Sequence, residues 1–230
     1  MPVKAVANAA FLKPKTSKRE AKRHAILEAA ARLFAQKGYN ATTLQDIAAA
    51  AGTQAGSLYY HFSSRDDIVR EVLSASMAVI ERQVRAAIRE AESTSGTYLE
   101  RIKAGVRVHL KAVLAADPYT SAYFRIINEV PAPVYREFIE QPRAYGRYWH
   151  KLIIAAQESG EIRRDIDPSI FRMLLLGGAT YAQMWFSPKG RLNMEQFCDA
   201  LLDVYLNGAL LATGSAAKSV SSPSQRRLAT

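Results

Sequence analysis

Apolar residues recur at helical spacing nearly throughout the chain, and no stretch keeps the period-two alternation of a half-buried strand. From Lys18 to Lys37, the positions Ile26, Leu27, Ala30, Leu33 and Phe34 share one face of a helix. Ser17 and Glu20 form a capping pair before it, and Gly38 follows it. The run TTLQDIAAAAG predicts a second, two-turn helix. It has Thr43 as N-cap, Leu44, Ile47, Ala48 and Ala51 turned inward, and Gly52 as its stop. A third short helix is expected from about Gln54 to Tyr60, with Leu58 and Phe62 facing the same core.

Ser64 with Asp67 opens a long helix that carries Ile68, Val72, Val79, Ile80, Val84 and Ile88 and ends near residues 93–96. Further helices are expected at 97–116, 118–130, 134–159, 168–186 and 194–211. Two of these starts are sharpened by Asp117-Pro118 and Asp167-Pro168. The pattern describes an all-α protein of about nine helices without an internal repeat. Two short helices joined at a glycine and braced by longer ones make a helix-turn-helix. The expected organisation is a flexible basic arm at 1–17, a helix-turn-helix domain at 18–63, a helical body at 64–213 and a disordered Ser-rich tail at 214–230.

Charge sharpens this division. The net formal charge is +10, and residues 1–65 hold ten Lys/Arg against three acidic side chains. Residues 66–213 balance 18 basic with 18 acidic groups, so the excess sits at the N-terminal unit and, by three cations, on the tail. Such an asymmetry points to a polyanion at one end, and nucleic acid fits it. The single Cys198 excludes an intrachain disulfide and a cysteine-based zinc site, and a reducing cytoplasm is the natural compartment. No apolar run approaches the ~20 residues of a membrane span; Met173–Phe186 is broken by Gly177, Gly178 and Gln183, so no membrane partner is expected. The early AVANAAFL has most of its cations after it, with Lys4 alone before it, unlike a signal peptide.

A helix entering the major groove needs base-reading side chains, phosphate donors at its flanks and small residues where backbone meets DNA. Residues 42–65 supply each kind. Gln54 can read a base edge, while Ala55 and Gly56 permit close approach. Tyr59, Tyr60 and His61 offer donors to phosphate, Thr43 caps a helix N-terminus, and Arg65 adds a cation, with Lys18 and the arm supplying long-range attraction. Taken singly, each is an ordinary packing or surface residue; the order in which they co-occur carries the reading. A small helical enzyme with a basic surface is the competing class. Against it stand the absence of a Gly-rich phosphate loop, of HExxH and of a metal-spaced cluster, and the scatter of His24, His61, His109 and His150. Neither catalysis nor a cofactor is expected. An architectural DNA-binding protein is the third class, and it would not need a neutral, aromatic-rich body.

Residues 24–72, with AILEAAARLFAQKGYNATTLQDIAAAAG, then GSLYYHF, then SSRDDIVREVL, closely resemble the TetR family of bacterial transcriptional regulators. The resemblance implies a homodimer whose helix-turn-helix domains enter successive major grooves of a pseudo-palindromic operator. It also implies a C-terminal domain that binds a small molecule and then lowers DNA affinity, so a repressor is expected. By position, Thr43, Tyr59, His61 and Arg65 take phosphate-contact roles, and Gln54 and Ala55 lie next to bases. Thr53 stands where the family commonly has a buried Val, and Ala55 where it often has Lys; Thr53 thereby joins the candidate DNA-facing residues, and the arm must supply more charge. Trp185-Phe186-Ser187-Pro188 with Gly190 is similar to the acyl-CoA-responsive regulators of sterol-ring breakdown, which implies a largely apolar effector of that kind.

For the body, a pocket is expected to draw on Tyr119, Tyr123, Phe124, Asn128, Tyr145, Trp149, Met173 and Gln183. Arg125, Arg143, Arg147 and His150 are candidates for an anionic head group; the competing reading is that these arginines face solvent or pair with Glu129, Glu137 and Glu140. The final two helices are expected to form a four-helix bundle with a second copy through Leu174, Gly178, Tyr181, Trp185, Leu201 and Tyr205.

Overall fold

A computed structural model of the chain describes residues 17–115 and 117–207; the arm before Ser17 and everything after Asn207, with the expectations placed on them, lie outside those limits. Within them the protein is all helical. The order is α1 (Lys18–Lys37), α2 (Leu44–Ala50), α3 (Ala55–Tyr59), α4 (Arg65–Thr94), α5 (Tyr98–Leu114), α6 (Pro118–Ile126), α7 (Ala132–Phe138), α8 (Glu140–Glu158), α9 (Pro168–Tyr181), a 3-10 turn (Ala182–Met184) and α10 (Met194–Asn207).

The helix starts follow from side-chain caps. Ser17 accepts from Glu20 N–H and Thr43 from Asp46 N–H, and in both the third-position carboxylate reaches back to the cap, a reciprocal pair worth roughly 1 kcal/mol. Ser64, Thr97, Asp117 and Asp167 cap α4, α5, α6 and α9 by accepting from first-turn N–H groups, without the reciprocal bond. Some boundaries depart from the periodicity, and α6 stops at Ile126 instead of reaching residue 130. The apolar pattern of 134–159 reads as a single helix, but the chain breaks at Ile139 into α7 and α8. Pro142 explains it, since it has no N–H for the Phe138 carbonyl and its ring would press against that group in a continuous helix. At the other end, α9 tightens into the 3-10 turn instead of running on to residue 186.

The buried apolar residues form one continuous cluster from Ile26 on α1 to Leu206 on α10. Its spine is α4, which buries Ile68, Val69, Val72 and Leu73 near its start and Ile80, Val84 and Ile88 further along. α5 lies along α4, and α6 lies across α1 and α4, so the body grips the N-terminal unit directly as well as through α4. Among the described residues no helix is long and apolar enough to cross a membrane.

One polar group sits deep in the body. His109 on α5 places Nδ1 3.1 Å from the Tyr145 hydroxyl and Nε2 3.2 Å from the Thr180 hydroxyl, and burial pushes its pKa down to about 4. The native imidazole therefore stays neutral while the unfolded chain takes up a proton from about pH 6.5. Between those values the unfolded state holds more protons, so stability falls as pH falls, by ~2 kcal/mol between pH 7 and pH 5. Urea titrations at the two pH values should show His109→Gln losing less stability over that interval than the wild type; equal losses would contradict a neutral native His109.

Candidate functional site

α3 spans five residues and is held by what it buries. Leu58 is wholly enclosed and Phe62, one turn on, is nearly so, both packed into the cluster shared with α1 and α4. The turn before it closes through Gly52, at φ +60°, with the Thr53 N–H donating to the Ala48 carbonyl at 2.9 Å. Lys22 on α1 reaches the Gly52 carbonyl at 3.3 Å. With its inner face fixed, α3 turns the opposite one outward.

Gln54 is the exposed N-cap of α3, and its side chain makes no capping bond, which leaves the amide available to a partner. Gly56 is exposed, and a β-carbon added there would meet no atom within 4 Å. The fold itself therefore makes no steric demand for glycine at 56, and only an approaching molecule would. Ala55 and Thr53 are half-buried, Ala55 against the core. Tyr59 is 58% and Tyr60 68% exposed. Arg19 lies 5.2 Å over the Tyr60 ring, so a cation from the first turn of α1 stands beside the aromatic pair, with exposed Lys18 next to it.

Three of the expected phosphate contacts have other duties in the structure. The Thr43 hydroxyl donates to Asp46 at 2.8 Å while accepting from its N–H, and the bonds from Thr43 hold the Asp46 carboxyl below its usual range. What α2 presents outward is the unbonded N–H groups of its first turn. Arg65 stacks 4.0 Å over the Tyr39 ring and donates to the carbonyls of Thr42, at 3.1 Å, and Tyr39, at 3.4 Å. It clamps the loop between α1 and α2, which is a positioning role. His61 encloses Nδ1 without a hydrogen-bond partner, so only its other nitrogen could turn outward. The bonds of Arg65 are set by tertiary contact and leave no local pattern, whereas the Thr43–Asp46 pair is a capping box whose spacing the sequence carries.

In the body, the expected pocket residues divide into separate places. Tyr123 clusters with Phe124 and Phe138 at ring distances of 4.8 and 5.7 Å, and Tyr119 is half-buried on the same helix, its hydroxyl pushed up to about 12 by burial. Tyr145 and Trp149 belong to the packed core with His109, and Gly105 leaves the space into which Trp149 fits. Gln183 is half-buried in the 3-10 turn, while Asn128 and Met173 face outward. An open cavity lies elsewhere among the described residues, between α8 and α9. It measures about 460 Å3 and is lined by Ile139, Pro142, Arg143, Gly146, Arg147, His150, Ser169 and Arg172. Arg143 and Arg147 share Glu140, at 2.8 and 3.9 Å, so three guanidinium groups at the cleft stand against one carboxylate. Gly146 makes room for Arg172, whose Nη1 would lie 2.9 Å from a β-carbon there. Ser169 and Arg172 were not among the expected residues, because only the antiparallel pairing of α8 with α9 brings them beside Arg143 and Arg147.

The last helices present an apolar face. Ile170, Met173, Leu174, Tyr181, Met184, Trp185 and Val204 are all exposed, a set that a lone soluble subunit rarely shows. Leu174, Tyr181 and Trp185 were expected on this face. Leu201 instead is buried within the subunit, and the Tyr205 hydroxyl fills the space beside Gly178, so Tyr205 and Gly178 meet within the same chain.

Comparison with known proteins agrees with this fold. The family model described as "Bacterial regulatory proteins, tetR family" matches residues 26–72, and "Tetracyclin repressor-like, C-terminal domain" matches residues 95–209. The chain is 30% identical over 204 residues to the HTH-type transcriptional repressor KstR2 of Rhodococcus jostii (strain RHA1), covering 84% of this chain and 93% of that one. Among solved structures it is similar to AibR in complex with isovaleryl coenzyme A and operator DNA. That match has a TM-score of 0.69 at 26% identity and covers 80% of this chain and 97% of that one. It is also similar to the ketosteroid transcriptional regulator KstR2 of Mycobacterium tuberculosis, with a TM-score of 0.67 at 25% identity, covering 83% and 95%.

Tyr59 and Arg65 should separate in experiment. Tyr59→Ala removes an outward ring, so it should weaken DNA binding at least tenfold while changing stability by under ~0.5 kcal/mol. Arg65→Ala leaves two carbonyls and a ring without their cation and should cost about 1–3 kcal/mol. Thermal melts beside anisotropy titrations decide this; a Tyr59→Ala protein that melts much earlier would return that ring to the core.

Proposed function

The chain belongs to the TetR family of bacterial transcriptional regulators, and from that premise we propose a cytoplasmic, ligand-responsive repressor without catalytic activity that binds a pseudo-palindromic operator as a homodimer. The observation that carries the DNA half is α3 itself: a five-residue helix anchored by Leu58, with Gln54, Gly56 and Tyr59 outward and empty space beside Gly56. In a dimer formed through the exposed faces of α9 and α10, the two α3 helices would reach major grooves about one helical turn, roughly 34 Å, apart or a multiple of it. Gln54 would read a base edge, Gly56 would let backbone approach, and Tyr59, Tyr60, Lys18 and Arg19 would hold phosphates.

For the effector half, we infer an anionic, largely apolar molecule of the acyl-CoA class. Support comes from the cleft between α8 and α9, whose volume suits part of such a molecule, whose guanidinium groups suit phosphates and whose Ile139 and Pro142 give an apolar wall. It also comes from the isovaleryl coenzyme A in the related AibR structure. Ser169 and Arg172 sit on α9, the helix that also carries the apolar face, so filling the cleft would change the seat of one subunit on the other and with it the spacing of the α3 helices. Occupancy need only favour the DNA-incompatible arrangement for release to follow.

Thermal-shift and band-shift titrations with acyl-CoAs, free CoA and free fatty acids test this directly. Acyl-CoAs should raise the melting temperature and release DNA from upstream of the coding sequence, and Arg172→Gln should weaken that response about tenfold or more while leaving DNA affinity unchanged. Equal responses to free fatty acid would remove the phosphate site from the account. Light scattering at micromolar concentration should give twice the chain mass; a monomer would sink the dimer.

A further inference from the structure

A second feature concerns how the body holds the reading head. Gly38 ends α1 at φ +81°, a left-handed conformation that turns the next N–H away from the helix axis. That N–H, on Tyr39, donates to Glu129 Oε2 at 2.8 Å across 90 residues of sequence. Glu129 lies just beyond α6, in the body, and is ion-paired with Arg125 one turn earlier. The fit is close: a β-carbon at residue 38 would stand 2.8 Å from the same carboxylate oxygen. Gly38 is thus required for its backbone angle and for the space that Glu129 occupies.

The loop so gripped runs straight into the helix-turn-helix. It is rigid on its own account, since the buried Thr42 hydroxyl donates to the Gly38 carbonyl at 2.8 Å. On the head side Arg65 holds the Tyr39 and Thr42 carbonyls, and the Tyr39 hydroxyl donates to Asp66 at 2.9 Å, both from the first turn of α4. One short loop is therefore fastened to α4 by Arg65 and Asp66 and to α6 by Glu129. A backbone N–H bound to a paired carboxylate is among the stronger and more directional hydrogen bonds a protein makes. A loop held this way follows α6 as a unit.

We propose that Glu129 is a positioning residue for DNA recognition: by accepting the Tyr39 N–H it fixes the angle of the reading head on the body, and hence the separation of the two α3 helices. The proposal rests on the DNA-binding reading above, and its test is chosen so that the two can fail separately. Spin labels on Gln45→Cys, in a Cys198→Ala background, report the head-to-head distance in the unliganded dimer by pulsed electron resonance. Wild type should give one narrow distribution. Glu129→Ala should broaden it at least twofold, and Glu129→Asp, whose oxygens are withdrawn by one methylene, should broaden it as well. Glu129→Gln should restore the narrow distribution, because the amide oxygen still accepts the Tyr39 N–H. In anisotropy titrations the ratio of affinity for upstream DNA over random-sequence DNA should fall about tenfold in Glu129→Ala, with random-sequence affinity within twofold of wild type. A merely structural role would move the melting temperature and both affinities together. Wild-type width in Glu129→Ala, or no rescue by Glu129→Gln, overturns the proposal. A wild-type protein with no preference for upstream DNA would instead overturn the DNA reading, and the distance distributions would still decide the role of Glu129.

Discussion

A helix of five residues has no stability of its own in water, because the cost of its first turn is barely recovered by the bonds that follow. α3 exists because Leu58 and Phe62 are buried against α1 and α4. That burial dictates the rest of the site. It decides which residues turn outward, makes the orientation of Gln54, Gly56 and Tyr59 a property of the whole N-terminal core, and places the exposed tyrosines beside the cations of α1. The same core continues through α4 into the body without a break, so the reading face and the effector domain are parts of one packed solid. Packed interiors of this density shift between discrete arrangements more readily than they deform.

Charge is divided by task. Of the cations near α3, Lys22 holds the Gly52 carbonyl, Arg23 pairs with Glu71 while lying 4.9 Å over the Phe62 ring, and Arg65 clamps the loop after α1. Lys18 and Arg19 remain turned outward, with Arg19 over Tyr60. A uniformly basic surface would bind any DNA, whereas cations engaged in shaping the head leave a larger share of the binding to fit. In the body, the basic cleft between α8 and α9 gathers three guanidinium groups in a segment of the chain whose overall charge is balanced.

Much of the fold was legible in the sequence, because local signals and tertiary packing agree along most of it. Ser17, Thr43, Ser64, Asp117 and Asp167 mark helix starts that the structure places within a residue of expectation. Pro142 is equally visible, but the apolar periodicity runs on through it and masks the break into α7 and α8. The site was less legible for a different reason. Arg65 carries the right chemistry for phosphate, yet its bonds to the Thr42 and Tyr39 carbonyls depend on tertiary geometry that spacing does not encode, whereas the Thr43–Asp46 cap is written in the spacing. Leu201 and Trp185 both lie in apolar stretches, and only tertiary packing, α10 lying against α5, decides that one is core and the other surface. The grip of Glu129 on Tyr39 joins elements 90 residues apart and leaves no local mark at all.

The central claim is that two copies of α3 read base edges from the major groove. Methylation interference on DNA from upstream of the coding sequence measures it most directly, because guanine N7 lies in the major groove and adenine N3 in the minor. The account predicts two clusters of interfering guanine N7 positions on one face of the duplex, about one helical turn, roughly 34 Å, apart or a multiple of it. Interference spread evenly along the fragment, or confined to adenine N3, would contradict it.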